Sequence, residues 1–440
     1  MLPLALPRTA PSLRPGAAPP PSRARRHVRR VRQPGALRRS LRVSVAEGVT
    51  AEIVGACSAG AALTGWALHL GCGPALIGFL GALPFVAQLV QLPAARLVGR
   101  LGPRRVALAA IAVSRQAFLP LVLLPFVPVA PATARAVLVA AAIVNQVLGV
   151  AATNAWMAWM GELVPPSVRG RWFGRRTGLC TAAGAAAALA AGVLLDHAPG
   201  PLALAALALV TSLVGAASVV LMARQAGGRP RPRAASPGGS LAAVLHAPAA
   251  RRWVAYVAVS GAGAGLIVPF SGLYVLRDRA LGFTFLTGYG AVSAAARIVT
   301  ARGWGRLLDG RRGARATVAA STALLAASPV LWIAAAAAGP WVLVLEAVTG
   351  GVASAGAGVA ALAVPLAIAP AAERPAWHAV FAIAGGLAFG AGAALAAPLA
   401  SSLPAAAAVA GPFTAPFAAS AVFRVAAIGV ALRLRSAPAA

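Results

Sequence analysis

Three glutamates lie within long apolar stretches of this sequence, where ionisable side chains are rare. Glu47 and Glu52 belong to a stretch at residues 44–68, and Glu346 belongs to one at residues 340–369. Burial in an apolar medium disfavours the charged form of a carboxyl group, which allows proton binding and release near neutral pH. We therefore interpret Glu52 and Glu346 as candidate proton-coupling residues.

The two acids of the first stretch differ in position. They are five residues apart, about 140° around a helix, so they do not share a face. Glu47 lies near the start of the stretch, where an interfacial or capping role would suit it, and Glu52 lies deeper. The alternative role for these acids is a structural ion pair, and Arg115 and Arg297 are the partners available inside apolar stretches.

Composition places the chain in a membrane. Of its 440 residues, 60% are hydrophobic and 11% are charged. The apolar residues form runs of about 20, long enough to cross a bilayer as helices. The sequence therefore predicts an all-α integral membrane protein.

The net charge of +31 does not indicate nucleic-acid binding, because most of the 39 arginines lie in the N-terminal segment and in the connections between apolar runs. Thirty-three of the 39 fall in the first 42 residues or in alternate connections. The positive-inside rule then places both termini in the cytoplasm, and we expect a multi-pass protein of the plasma (cytoplasmic) membrane, or inner membrane, in contact with lipid.

The sequence lacks the patterns of common catalytic and metal sites. Cys57, Cys72 and Cys180 are scattered and no HExxH, CxxC or Walker A motif occurs. We expect no enzyme activity, no metal and no cofactor.

Apolar periodicity and breaks predict about twelve transmembrane helices. Their approximate ranges are 44–68, 74–97, 105–128, 134–160, 170–194, 200–223, 250–275, 284–308, 315–336, 340–369, 375–400 and 415–434. The predicted organisation is a disordered basic tail at 1–42, a six-helix bundle at 43–223, a cytoplasmic linker at 224–247 and a second six-helix bundle at 248–435.

Two basic segments each occur twice, about half a chain apart. Residues 96–102 correspond to residues 306–313, and the pattern Pro-x-x-x-Arg-x-x-Trp at 165–172 recurs at 370–377. A duplicated multi-span chain is the usual organisation of a secondary transporter, because alternating access rocks one half against the other.

These four connections resemble the loop motifs of the major facilitator superfamily. Residues 96–105 and 305–315 are similar to its G-x-x-x-D-R-x-G-R-R signature, and Glu162 to Gly170 are similar to its E-x-x-P-x-x-x-R-G element. The resemblance covers about 44–435 and implies two pseudo-symmetric six-helix halves. The chain departs from the family pattern at Gly99, where an Asp is usual, and at Gly313, which comes one residue late.

The resemblance implies a cytoplasmic gate in these loops. Asp309 would face the positive end of the fifth helix and pair with Arg169 or Arg171. The gate residues implied by the motifs are Asp309, Arg100, Arg105, Arg169, Arg171, Arg311 and Arg312. The alternative is that these arginines only mark the topology, and Gly99 should weaken the gate of the first half.

The resemblance also implies that the first, fourth, seventh and tenth helices line a central cavity. Polar side chains there are candidates for substrate binding: Asn145, Gln146 and Asn154 on the fourth helix and Tyr256 on the seventh. For each of them, helix packing is the alternative.

Together these features predict a secondary active transporter of a small organic solute. We expect alternating access, coupling to protons, a monomer, and export rather than uptake. The alternative is a transporter-like fold that no longer transports and serves in membrane assembly or sensing, which the missing Asp at position 99 keeps open.

Overall fold

The computed structural model describes residues 34–164, 166–226, 241–309, 313–370, 373–402 and 409–434. In these ranges every regular element is helical. Eleven helical segments are long and apolar enough to cross a membrane. The chain is therefore a multi-pass membrane protein, as its composition predicts.

The N-terminal half contains the first six predicted spans. Its helices are α1 (Pro34–Ser58), α2 (Gly60–His69), α3 (Pro74–Val86), α4 (Gln91–Leu101), α5 (Pro103–Gln116), α6 (Pro131–Leu163), α7 (Pro166–His197) and α8 (Pro201–Ala223). The first predicted span is divided between α1 and α2, and the second between α3 and α4.

The C-terminal half repeats this arrangement. A short helix α9 (Leu241–His246) precedes α10 (Pro248–Gly265), α11 (Val268–Leu273), α12 (Gly282–Asp309), α13 (Gly313–Ala338), α14 (Trp341–Ile368), α15 (Arg374–Ala400) and α16 (Thr414–Leu432). The seventh predicted span comprises α10, α11 and a π-helical turn at Tyr274–Asp278.

The eighth predicted span, α12, is absent from the eleven helical segments that are long and apolar enough to cross a membrane. Its 28 residues are enough to cross a bilayer. It is less apolar than the others because it carries Arg297, Arg302 and Arg306. Since α12 packs along α7 and α14 within the bundle, the structure agrees with about twelve helices in two halves.

The predicted disordered N-terminal tail extends too far toward the first span. Residues 34–42 form the first turns of α1 rather than an irregular segment. Leu37 and Leu41 pack against a buried cluster, and the Ser40 hydroxyl accepts a 3.0 Å hydrogen bond from the Ala226 amide. These contacts stabilise helix where composition alone predicted disorder. Residues 1–33 lie outside the described residues.

The predicted linker at 224–247 is described only at its ends. Residues 224–226 follow α8, and residues 241–246 form α9. The central part, 227–240, lies outside the described residues, so the predicted domain boundaries stay predictions.

Several spans are interrupted along their length. The first breaks at Ala59, the second at Ala87–Val90 and the seventh at Leu266–Ile267. Pro84 precedes the second break, and its carbonyl accepts a 2.9 Å hydrogen bond from Gln88 Nε2. Broken transmembrane helices persist where the freed backbone groups find partners or face a cavity.

The buried core is shared between the halves mainly at one end of the bundle. We call the end that holds Pro34 and Leu432 the terminal end and the opposite one the distal end. At the distal end one cluster joins both halves, including Trp66 and Leu204 of the first and Phe270 of the second. At the terminal end each half has its own cluster. A smaller cluster also joins the halves between α3 and α15. The halves therefore share buried core at the distal end and between these two helices, whereas each half has a core of its own at the terminal end.

Candidate functional site

A cavity of about 650 Å³ lies between the two halves. Helices α1, α2, α3, α6 and α7 contribute from the N-terminal half, and α11 and α12 contribute from the C-terminal half. Its apolar lining includes Leu63, Ile77, Leu80, Phe85 and Leu286, and its polar lining includes Thr64, Gln146, Thr181, Thr287 and Tyr289. Such a volume suits a small organic molecule.

Glu52 and Arg297 are the only charged residues among the described residues that line this cavity. Glu52 belongs to α1 and Arg297 to α12, so the two charges come from different halves. The prediction of Arg297 as a buried ion-pair partner is wrong, because its side chain is exposed. An exposed guanidinium at the cavity wall keeps its hydration and needs no protein counter-ion.

Glu47, in contrast, forms a buried ion pair. Its Oε2 lies 3.4 Å from Nη2 of Arg176, and Glu47 is only 3% exposed. Ser218 donates a 3.3 Å hydrogen bond to the other carboxylate oxygen. The guanidinium of Arg176 also lies 4.3 Å from the ring centroid of Trp156. Glu47 is therefore neither interfacial nor a cap, because Arg176 on α7 supplies a counter-charge inside the half.

Arg115 lines a smaller cavity of about 390 Å³ that adjoins the central one. Its guanidinium interacts electrostatically with Glu47 and Glu52 without forming an ion pair within the described residues. Its Nε is buried without a hydrogen-bond partner there. Arg115 thus contributes to the field around the N-terminal acids rather than to a direct pair.

The predicted polar residues of the fourth span lie at these cavities. Gln146 lines both, and Asn145 and Asn154 line the smaller one. The Asn145 amide donates a 3.0 Å hydrogen bond to the carbonyl of Ser114. The smaller cavity therefore adjoins the central one at Gln146 and is lined by amide side chains.

Tyr256 does not line either cavity. It is 6% exposed, shares a 2.8 Å hydrogen bond with Thr322 and stacks on Trp253. The prediction that it lines the substrate cavity is wrong, because this face of α10 packs inside the C-terminal half.

Glu346 is buried within the C-terminal half, with 3% of its surface exposed. Tyr289 and Ser328 each donate a hydrogen bond to its carboxylate, and Arg424 interacts with it electrostatically. Tyr289 also lines the central cavity. One side chain therefore connects the cavity to a buried acid.

Sequence reasoning missed Tyr289, Ser328, Arg176 and Arg424 as partners of the acids. Two signals were present. The chain has only 3 tyrosines, so each one inside a span is informative. Arg424 also breaks the arginine pattern, since it lies within a span rather than in a basic connection.

The predicted cytoplasmic gate is only partly described. Arg100 and Arg105 are exposed, as is Asp309 at the end of α12, and no ion pair joins these three within the described residues. Arg311 and Arg312, and the side chains of Arg169 and Arg171, lie outside the described part of the chain. The gate stays a prediction.

At the distal end, an acid of one half caps a helix of the other. The Asp196 carboxylate of α7 accepts 2.7 Å hydrogen bonds from the backbone amides of Phe283 and Thr284, at the start of α12. Gly282 has φ +84°, and a Cβ there would lie 3.2 Å from the Asp196 carboxylate oxygens. Glycine thus supplies both the turn and the space for the cap.

The sequence profile of the Major Facilitator Superfamily matches residues 53–309. This match covers more than half of the chain, and the chain belongs to that superfamily. Its two halves around one cavity are the fold of this class of transporters. No curated protein sequence matches the chain significantly.

Solved transporter structures share the fold across almost the whole chain. A D-xylose-proton symporter aligns with a TM-score of 0.70 at 14% identity, covering 90% of this chain and 97% of the symporter. The D323A mutant of the nucleoside transporter NupG aligns at 0.67 and 13%, covering 91% and 100%. The peptide transporter POT in complex with sulfate aligns at 0.69 and 13%, covering 90% and 94%.

Proposed function

We propose that this protein is a secondary active transporter that moves a small organic solute by alternating access. The observation that carries the proposal is the central cavity of about 650 Å³, which is bounded by both halves. Because a large shared core joins the halves at the distal end, while each half has a separate core at the terminal end, a rocking motion can open and close the two ends in turn.

The terminal end carries most of the arginines of the connections, so we assign it to the cytoplasm of a plasma membrane. The shared core and the Asp196 cap close the distal end, so we interpret this arrangement as the inward-facing state. The gate residues Asp309, Arg100 and Arg105 would close the cytoplasmic end in the opposite state.

We further propose that transport is coupled to protons through Glu346 and Glu52. Glu346 is buried, and the hydroxyl of Tyr289 links it to the cavity. Glu52 faces the cavity directly, where water can deliver a proton. Ionisable groups inside a membrane protein are costly and default to functional roles. One carboxylate that lines the cavity and one that is linked to it support coupling to protons. We propose export rather than uptake as the direction of transport.

Purified protein in liposomes that enclose a pH-sensitive dye tests this proposal. A panel of lipophilic cations, sugars, organic acids and amino acids is added outside, and proton flux is recorded for wild type, Glu52→Gln and Glu346→Gln. We expect one class of solute to trigger proton movement in wild type, and at least one of the variants to lose it.

Two other results are informative. Solute movement without any proton flux would support the transport function and contradict the coupling to protons. Folded protein that neither binds nor moves any compound would favour the alternative of a non-transporting assembly or sensory protein, which the Gly99 departure also supports.

A further inference from the structure

The two charges of the central cavity are opposite in sign, belong to different halves and have no ion-pair partner in the described part of the chain. Neither Glu52 nor Arg297 forms a hydrogen bond or an ion pair with another described residue, yet each lines the cavity. They interact electrostatically across it. Both lie near the middle of their spans, the depth at which transporters of this architecture bind their cargo.

The other charges near Glu52 are either paired or lie outside the central cavity. Arg176 also attracts Glu52, but it is paired with Glu47, donates to the Ser44 carbonyl at 3.2 Å and covers Trp156. Arg115 attracts Glu52 from the adjoining cavity. No acid other than Glu52 lines the central cavity within the described residues. The carboxylate and the guanidinium are thus left facing the space between them.

From this placement we infer that the cargo is a small zwitterion with an apolar body, of the size range from an amino acid to a dipeptide. Its ammonium group binds Glu52 and its carboxylate binds Arg297. Hydrogen bonds between charged groups are the strong ones, and a guanidinium is well shaped to hold a carboxylate. The apolar walls formed by Leu63, Leu80 and Leu286 then contact the remainder of the molecule. This inference rests on the proposed transport function.

Placing the two charges on opposite halves has a mechanical consequence. A zwitterion that spans the cavity contacts both halves at once, so it binds more tightly where the halves are closer together. A ligand shifts a conformational equilibrium only through such differential contacts. A molecule with a single charge forms a charged contact with one half alone, and it would lack this part of the advantage. Protonation of Glu52 would release the ammonium group and permit exchange.

Matched probes separate the contribution of each charge. Phenylalanine and leucyl-leucine are the zwitterions, their carboxamides keep only the positive charge, and their N-acetyl derivatives keep only the negative one. Equilibrium binding to purified protein is measured at one pH without a proton gradient. We expect at least one zwitterion to bind about tenfold or more tightly than both of its derivatives.

Single substitutions assign the two groups. Glu52→Gln should remove the preference for the zwitterion over the N-acetyl derivative, and Arg297→Gln should remove the preference over the carboxamide. Ser271→Ala, which changes an uncharged residue of the same cavity, should leave both preferences intact. Because the readout is a ratio between probes for one protein, a general loss of stability does not imitate it.

The failures of the two proposals are distinguishable. Two results would overturn the zwitterion proposal while leaving the transport function standing. One is equal binding of a zwitterion and either derivative. The other is no binding of any of the six probes by protein that transports another class of solute. Absence of transport for every solute in the liposome panel, together with absence of binding, overturns both.

Discussion

Tyr289 lines the central cavity and donates a hydrogen bond from its hydroxyl to the buried carboxylate of Glu346. Ser328 bonds the same carboxylate from α13 but does not line the cavity. The two donors therefore differ in one property, which is contact with the space that cargo would occupy. A change in that space can reach Glu346 through Tyr289.

Replacement of Tyr289 by Phe should uncouple solute movement from protons. A hydrogen bond to a charged group contributes about 1.5–3 kcal/mol, so we expect proton flux driven by the active solute to fall roughly tenfold. Solute exchange at equal pH on both sides should continue. Both quantities are measured in the same dye-loaded liposomes.

Ser328→Ala is the matched control for this change. It removes a hydrogen bond from Glu346 without altering the cavity wall, and it should leave the ratio of proton flux to solute exchange closer to that of wild type. Equal uncoupling by the two variants would mean that Tyr289 acts only by stabilising Glu346 and carries no signal from the cavity.

The Glu47–Arg176 pair should matter for stability. Both partners are mostly buried, with 4% and 16% of their side chains exposed, and removal of one partner leaves an uncompensated charge. We expect Arg176→Ala to lower the free energy of unfolding by about 3–5 kcal/mol, measured by denaturation in detergent. Arg277→Ala breaks a pair whose arginine is 43% exposed and should cost about 0–1 kcal/mol. Similar effects of the two substitutions would contradict the assigned roles.

The Asp196 cap should bias the protein toward the state closed at the distal end. Loss of a helix cap costs about 1 kcal/mol, so Asp196→Ala should raise the population open at the distal end about fivefold. The rate at which a cysteine at Ala188, in the cavity lining, reacts with a membrane-impermeant maleimide from the distal side reports this population.

The labelling assay uses a variant in which the three native cysteines are replaced, so that only the introduced cysteine can react. They are buried, and burial raises the pKa of Cys72, which lies in the connection between α2 and α3. Asp278→Ala is the control, because this acid bonds only its neighbour Arg277 among the described residues. An unchanged labelling rate for Asp196→Ala would show that the cap does not hold the halves together.

Glycine packing between α10 and α15 should be intolerant of a side chain. A Cβ at Gly265 would lie 2.0 Å from the Phe389 carbonyl oxygen, whereas nothing lies within 4 Å of one at Gly358. We expect Gly265→Ala to destabilise the protein by about 1–3 kcal/mol. Gly358→Ala should be neutral or stabilising by up to about 1 kcal/mol, since alanine favours helix. Thermal unfolding of the two variants in detergent measures the difference, and equal stability would contradict the close packing.

Apolar run length and the spacing of the basic connections predicted most of the fold. Both signals are local, because a span needs about 20 apolar residues wherever it packs. The interruptions at Ala59 and Leu266 were not predicted. They depend on neighbouring helices and the cavity that satisfy the freed backbone groups, and a single sequence does not specify those neighbours.

The sequence identified the acids of the candidate site, but it did not identify the residues that contact them. Glu52 and Glu346 are identifiable because any acid in an apolar run is unusual. Whether an acid faces a cavity or a counter-ion depends on the rotation of its helix within the bundle. The rotation of α1 places Glu52 at the cavity and Glu47 against Arg176. The same dependence explains Tyr256, whose span borders the cavity while its own side chain packs inside its half.

Alternating access itself can be tested without knowing the cargo. In the cysteine-free background, a single cysteine replaces Ala188 of the cavity lining, and a membrane-impermeant maleimide is applied to one side of oriented membranes at a time. We predict labelling from both sides, slower from the distal side, because the cavity opens to each side in turn. Labelling from one side only, unchanged by Asp196→Ala and by every solute of the panel, would contradict alternating access and the transport function proposed from it.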